Sequence, residues 1–297
     1  MKSETQPPLP QLPDTTNGSR FGFDARKLEP YRQHVLAKIA QTSVSPVPFS
    51  HLFIEDVFPV ELYGALHARM LQYKFGENLL ERHQDSAQFV NRRHSLVGSG
   101  DAETQALRSI FSNSEVRLAL LGKFYVDPTA DLERSLAIHE EFEFVYTAAG
   151  RFQNIHIDIP PKFMSFVFYF PEREPEATEA ARNATILYDK QLSPHYRARY
   201  QSNSVCIFVP HFYSYHGFAS TIDRNALVMF YINQAEQQKW IAARLKDEPP
   251  YSGLKNAIQS KLLRFPLLEY GTSEQRILHE REQCLVNAPQ GRVMRTQ

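Results

Sequence analysis

The feature that most constrains this chain is a series of short strand-like runs between residues 138 and 233. Phe142, Phe144 and Tyr146 alternate with their neighbours at a period of two, and Ala149-Gly150 then supplies a turn. Five further runs are rich in β-branched and aromatic residues: FQNIHIDI, KFMSFVFYF, ATILYD, SVCIFVP and NALVMFYIN. Short strands at regular spacing predict an antiparallel sandwich or barrel and argue against a parallel sheet of βαβ units.

Helical patterns flank this β core. On the N-terminal side they begin near Asp24 and recur from Asp101 to Phe124, with a strand from His51 to Val57 and a helix start at Pro59. Residues 75–100 are polar and charged and show no clear period, and Gly98 and Gly100 indicate a loop. After residue 233 the helical period returns, whereas residues 171–183 form a charged insert, predicted as a loop or short helix.

We therefore predict an α+β chain with four segments. Residues 1–20 are a Pro-rich flexible leader, and residues 21–137 form a helical N-terminal support of the core. Residues 138–233 form the β core, and residues 234–297 form a C-terminal helical extension. The extension either covers the core or forms the face of a homodimer.

Composition excludes several classes of protein. Hydrophobic residues make up 42% of the chain, which rules out a mostly disordered protein. Basic and acidic residues both number 33, so a sequence-independent nucleic-acid binder is not expected. Two cysteines are too few for a disulfide framework or a thiolate zinc site. A membrane span needs about 18 consecutive apolar residues, and no apolar run in the sequence approaches this length. The sequence also shows no secretory signal, so we expect a cytoplasmic protein without membrane contact.

Three histidines occur in His-x-Asp/Glu triplets, a pattern common enough by chance that context must separate them. The triplets begin at His83, in the polar stretch, at His139, in an acidic run, and at His156, inside the apolar run IHIDI. Strand geometry places His156 and Asp158 on one face and the flanking isoleucines on the other. Two ionisable side chains on the inner face of a β core are costly unless they are paired or bound to a metal.

A third ligand is needed to hold a metal at this pair. The region 203–233 offers two histidines: His216, which precedes Gly217, and His211, which follows Pro210. Arg224 lies eight residues beyond His216, at the start of the next strand. Two His and one carboxylate form the facial triad of non-haem Fe(II) oxygenases.

Residues 138–233 resemble the double-stranded β-helix of the Fe(II)/2-oxoglutarate-dependent dioxygenases. That family's signature is His-x-Asp, a long gap, a distal His and then a basic residue, and here these positions are His156, Asp158, His216 and Arg224. The family often places Gly after its distal His, which favours His216 over His211. The segments FVYTAAGRFQNIHID and PFSHLFIEDVFPVELYGAL also resemble the approach to the family's core, which is a jelly roll.

The resemblance implies Fe(II) held by His156, Asp158 and His216, with 2-oxoglutarate as cosubstrate, O2 as oxidant and ascorbate as a supporting reductant. It also implies that Arg224 binds the far carboxylate of 2-oxoglutarate through its fork of donors and that Tyr146 adds a hydroxyl. In halogenating relatives a small residue replaces the acidic ligand. Asp158 therefore favours hydroxylation, while desaturation and ring closure stay open.

The leading hypothesis is a dioxygenase that hydroxylates an unactivated carbon of a small molecule, such as an amino acid or a specialised-metabolite intermediate, and releases succinate and CO2. One alternative is the same chemistry on a protein or peptide side chain. The other is a non-catalytic, cupin-like protein that binds a metal or ligand. Arg224 makes this alternative less favoured, because a simple metal-binding protein does not need an anchor for the cosubstrate. Lys162 and Arg151 flank the metal strand, where they either reach an acidic substrate group or form solvated strand ends. The insert at 171–183 is placed to act as a lid.

Overall fold

The computed structural model is built from two antiparallel sheets and a layer of helices. It describes residues 24–75, 80–83, 90–96, 98–125, 137–159, 161–210, 214–234, 237–238, 286–287 and 292–293. The helices are α1 (Leu28–Gln41), α2 (Val60–Phe75), α3 (Ala102–Phe111), α4 (Ser114–Phe124) and α5 (Ala177–Arg182). The strands are β1 (His51–Glu55), β2 (Leu80–His83), β3 (Val90–Ser95), β4 (Ile138–Thr147), β5 (Phe152–His156), β6 (Lys162–Tyr169), β7 (Thr185–Tyr188), β8 (Pro194–Ala198), β9 (Ser204–Phe208), β10 (His216–Ala219), β11 (Arg224–Asn233), β12 (Val286–Asn287) and β13 (Arg292–Val293).

The larger sheet has seven strands in the order β1-β9-β6-β11-β4-β3-β2, and the smaller has four in the order β5-β10-β7-β8. The six strand-like runs of the sequence all contain strands, and β8 and β10 add two that the pattern did not reveal. Residues 75–100, which show no period in the sequence, contain β2 and β3; these strands pair with each other and extend the larger sheet from β4. Residues 21–137 therefore contribute strands as well as helices.

The larger sheet separates an apolar core from a cavity. On β11, Leu227, Met229 and Tyr231 pack in the main hydrophobic cluster with residues of α1 to α4. The alternate residues Val228 and Phe230 line the cavity on the other face. The period of two thus gives each strand one face for the helices and one for the site.

Local capping sets the bounds of the helices that cover this sheet. The predicted helical stretch from Asp101 to Phe124 is divided into α3 and α4, because the Asn113 side chain accepts the Glu115 N–H and starts a second helix. Asp101 caps α3 and accepts hydrogen bonds from the Thr104 N–H at 2.8 Å and the Tyr73 hydroxyl at 2.6 Å. Burial alone raises the pKa of Asp101, but hydrogen bonds from Ser99, Tyr73 and Thr104 lower that pKa to about 2.

The insert at 171–183 contains the short helix α5, which ends at Arg182. Near the start of the insert, Glu172 pairs with the Lys74 ammonium, which also lies 2.9 Å from the Asp223 carboxylate. These contacts join α2, the insert and the turn before β11. The leader at 1–20 lies outside the described residues, as does most of the C-terminal extension with its predicted dimer face. Among the described helices, none combines the length and apolarity that a bilayer crossing requires.

Candidate metal centre

The two histidines of the predicted triad lie side by side in the smaller sheet. β10 pairs with β5, and in this register His216 is the direct partner of His156. The centroids of the two imidazole rings are 4.2 Å apart. On its other side β10 pairs with β7, so His216 occupies the middle of the sheet. The isoleucines that flank His156 lie in a separate apolar cluster, as the strand period predicts.

Asp158 completes the group just beyond the end of β5. One ligand atom from each of His156, Asp158 and His216 lies within 4.8 Å of the others, close enough to surround one cation. The His216 Nε2 is 3.9 Å from the Asp158 Oδ2. His211, the competing candidate for the distal ligand, lies outside the described residues.

The ionisation of this group suits a metal. The His216 Nδ1 is 2.9 Å from the Ser214 carbonyl, to which it donates, so its Nε2 carries the lone pair. Burial lowers the pKa of His216, which favours the neutral imidazole. Burial by itself raises the pKa of Asp158, but the nearby Lys162 ammonium, followed by the side chains of His216 and His156, outweighs burial and holds that pKa well below its usual range.

Both oxygens of Asp158 have protein partners. The Lys162 ammonium donates to Oδ1 at 2.6 Å, and the Ser165 hydroxyl donates to Oδ2 at 2.6 Å. Lys162 therefore faces the centre of the site instead of forming a solvated strand end. Ser165 was missed in the sequence, where its one visible signal is a polar residue inside the apolar run KFMSFVFYF.

Arg224 lies in the same cavity and is only 2% exposed. Its Nη2 donates to the Thr185 hydroxyl oxygen at 2.9 Å, and its Cζ is 3.8 Å from the centroid of the Phe218 ring. Within the described part of the chain no carboxylate lies within ion-pair distance of this guanidinium, and its Nε has no hydrogen-bond partner. The neighbouring Asp223, a candidate for a surface ion pair, bonds to Lys74 instead.

Thr185, which the sequence reasoning missed, links Arg224 to the core. Its Oγ1 accepts from the Tyr169 hydroxyl at 2.6 Å as well as from Arg224. Two accepted bonds use both lone pairs of the hydroxyl oxygen, so the Thr185 proton remains to be donated to a ligand in the cavity. Because this hydroxyl sits at the start of the run ATILYD, nothing in its pattern marks it as part of a site.

Tyr146 is not brought to this cavity. It lies on the opposite face of β4, packed against the main hydrophobic cluster. Its hydroxyl donates to the Asp223 carboxylate at 3.0 Å, and the Lys74 ammonium lies 4.6 Å from its ring centroid. This placement corrects the prediction that Tyr146 contacts the cosubstrate, and its physical reason is the strand period: Val145, one residue earlier, is the residue of β4 that lines the cavity.

The cavity lies between the two sheets, and side chains of both sheets line it. Its polar lining includes the triad, Lys162, Arg224 and Arg93, of which Arg93 pairs with Glu143 at 2.8 Å. Its apolar lining consists of Val145, Val167, Phe208, Phe218, Val228 and Phe230. Arg151, the second flanking cation of the sequence analysis, does not line it.

The residues present fit an iron ion and 2-oxoglutarate. Two imidazoles and one carboxylate on one side of a point are the donor set of non-haem Fe(II) sites. A buried guanidinium with an unpartnered Nε calls for an anion, and a dicarboxylate supplies one.

Comparison with known proteins agrees with this architecture. No protein-family model matches the sequence, and no curated protein matches it significantly. Among solved structures, a Pseudomonas putida prolyl-4-hydroxylase superposes with a TM-score of 0.51 at 13% identity, over 68% of this chain and 99% of that one.

Two further structures superpose less closely. A prolyl hydroxylase from Trichoplax adhaerens, in complex with a hypoxia inducible factor peptide fragment, has a TM-score of 0.48 at 11% identity, over 72% of this chain and 94% of that one. The alpha ketoglutarate dependent epimerase SnoN from nogalamycin biosynthesis has a TM-score of 0.46 at 10% identity, over 71% of this chain and 84% of that one. The fold assignment rests on the first of the three structures and on the sheet order. The predicted fold class is confirmed: the chain has the α+β, double-stranded β-helix fold that its resemblance to the Fe(II)/2-oxoglutarate-dependent dioxygenases predicts, and it shares this fold with the P. putida prolyl-4-hydroxylase.

Proposed function

We propose that this protein is an Fe(II)- and 2-oxoglutarate-dependent dioxygenase that hydroxylates an unactivated carbon of a small molecule and releases succinate and CO2. The observation that carries the proposal is the presence of two complementary features in one cavity. Three ligand atoms from His156, Asp158 and His216 lie within 4.8 Å of one another. A buried Arg224, without an acidic partner among the described residues, lines the same cavity.

Each residue has a role that follows from its contacts. His156, His216 and Asp158 bind the iron, and the Ser214 carbonyl holds His216 with its Nε2 towards the metal position. Arg224 binds the distal carboxylate of 2-oxoglutarate, and the Thr185 hydroxyl donates its remaining proton to the same group. When bound, iron and 2-oxoglutarate supply an oxidant that couples decarboxylation of the cosubstrate to insertion of oxygen into a C–H bond.

The walls of the cavity support a small substrate with an apolar reacting region. Val145, Val167, Phe208, Val228 and Phe230 surround the polar groups, and they come from strands of the larger sheet. Apolar walls exclude water from the reaction and hold hydrocarbon without competing for the metal. A cavity lined by side chains from both sheets supports a small molecule, whereas a peptide side chain needs an open groove.

The test is turnover of 2-oxoglutarate to succinate by iron-loaded protein, with and without panels of amino acids, other small metabolites and peptides. We expect succinate formation that small molecules stimulate and that His156→Ala abolishes. The matched control is His195→Ala, because His195 is exposed on β8 and away from the cavity. Stimulation by peptides alone would assign the peptide alternative. A wild-type protein that binds iron and never consumes 2-oxoglutarate would contradict the proposal and favour the binding-protein alternative.

A further inference from the structure

A lysine ammonium is built into the metal centre. The Lys162 side chain is 17% exposed and that of Asp158 is 5% exposed, so their ion pair is shielded from solvent. The Lys162 Nζ is 2.6 Å from the Asp158 Oδ1, a short charge-assisted hydrogen bond. None of the roles assigned to the triad or to Arg224 requires this contact.

The position of Lys162 is set by its surroundings. Its Nζ is 3.5 Å from the centroid of the Phe230 ring, so the ammonium is held between an aromatic face and the carboxylate. Ser165, three residues along β6, occupies the other carboxylate oxygen at 2.6 Å. The Asp158 Oδ2 lies 3.9 Å from the His216 Nε2, so Oδ2 is the oxygen that would hold an ion in the triad, while Oδ1 accepts from Lys162.

The ammonium has opposite effects on the two states of the site. Without a metal it compensates a buried carboxylate, and removing one partner of a buried ion pair leaves an uncompensated charge. With a divalent cation in the triad, the ammonium becomes a like charge a few ångströms away, which opposes binding.

We propose that Lys162 is a resident counter-cation of Asp158 that stabilises the metal-free protein and weakens binding of the divalent metal, so that the metal exchanges readily. The proposal rests on the metal centre of the proposed function. It assigns Lys162 as a positioning and charge-balancing residue, because it acts on the metal through Asp158.

The first test is thermal unfolding of the metal-free protein. Lys162→Met is expected to unfold at a lower temperature than wild type, because it leaves the buried Asp158 carboxylate without its cationic partner. The double variant Asp158→Asn with Lys162→Met is expected to recover most of that loss, since no charge remains to be compensated. Lys190→Met is the matched control, because Lys190 is exposed in the turn between β7 and β8. An unchanged melting temperature in Lys162→Met would overturn the stabilising role.

The second test is anaerobic titration with Mn(II), followed by its electron paramagnetic resonance signal. Lys162→Met is expected to bind Mn(II) at least about tenfold more tightly than wild type, because the substitution removes a like charge close to the metal. Lys162→Arg keeps the charge and is expected to bind like wild type. If metal-free Lys162→Met does not fold, competition with a chelator from Mn(II)-loaded protein gives the same affinity.

The outcomes separate this proposal from the proposed function. Equal or weaker Mn(II) binding by Lys162→Met, or tighter binding by Lys162→Arg as well, overturns the role of the lysine charge and leaves the metal centre intact. Wild-type binding no tighter than that of His156→Ala overturns the metal centre itself.

Discussion

The substitution Arg224→Met tests whether the Arg224 guanidinium serves to bind a ligand or to stabilise the fold. The guanidinium is 2% exposed and has no acidic partner in the described part of the chain, and burial lowers its pKa. Its compensation comes from the Thr185 hydroxyl at 2.9 Å, the Phe218 ring at 3.8 Å and the more distant rings of Tyr169 and Tyr200, at 5.2 and 5.6 Å. Met has a similar shape and no charge, and the Tyr169–Thr185 hydrogen bond survives the change.

The substitution is expected to leave the stability of the fold intact and to weaken the binding of 2-oxoglutarate. In the metal-free protein the free energy of unfolding is expected to stay constant or rise by about 1–2 kcal/mol, because a buried charge without an acidic partner among the described residues leaves the interior. For 2-oxoglutarate, one lost hydrogen bond between charged groups costs about 1.5–3 kcal/mol, which raises the KM about 10- to 150-fold.

The assays are urea denaturation of the metal-free protein and initial rates of succinate formation against 2-oxoglutarate concentration. Arg197→Met, on the exposed face of β8, is the matched control for loss of an arginine. Arg224→Lys keeps the charge without the planar fork and is expected to fall between wild type and Met. An unchanged KM for 2-oxoglutarate in Arg224→Met would refute the assignment of the anchor, and a large loss of stability would show that the guanidinium serves the fold.

Three further predictions address the ligands, the excluded tyrosine and the capping aspartate. His216→Ala is expected to lose iron binding and turnover, measured by titration and succinate formation; loss in His211→Ala instead would reassign the distal ligand. Tyr146→Phe is expected to leave the KM for 2-oxoglutarate unchanged, because its hydroxyl bonds to Asp223, and a several-fold rise would contradict its placement. The pKa of Asp101 is lowered from 3.8 to about 2, so the ionised carboxylate stabilises the fold above about pH 4, and this contribution is lost as the pH falls towards 2. The free energy of unfolding, measured by denaturation at pH 5 and at pH 3, should therefore change less in Asp101→Asn than in wild type.

The strands that bury one face were predictable, because alternation reports burial. β4, β6 and β11 have continuous apolar and aromatic faces, and their bounds follow the sequence pattern closely. β8 is mostly exposed and β10 spans four residues, so neither has enough buried side chains to show a period. The β2–β3 pair is missed for a related reason, since its sequence is polar and charged.

The site was predictable where spacing along one strand determines proximity. His156 and Asp158 are two residues apart, so a strand alone brings them together. His216 and Arg224 needed the resemblance, because only the pairing of distant strands brings them to the same cavity. The contacts of Lys162 and Ser165 depend on how the chain turns between β5 and β6, which no spacing rule gives. Tyr146 was assigned to the wrong face, since the pattern shows alternation without showing which face is the cavity.

The most direct test of the central claim is an anaerobic titration of metal-free protein with Fe(II) and then with 2-oxoglutarate, monitored by visible absorption. A metal-to-ligand charge-transfer band requires iron and cosubstrate bound to each other in one site. We predict that the band appears in wild type, is absent in His156→Ala and needs a higher 2-oxoglutarate concentration in Arg224→Met. Iron binding without any band at saturating 2-oxoglutarate would contradict the account.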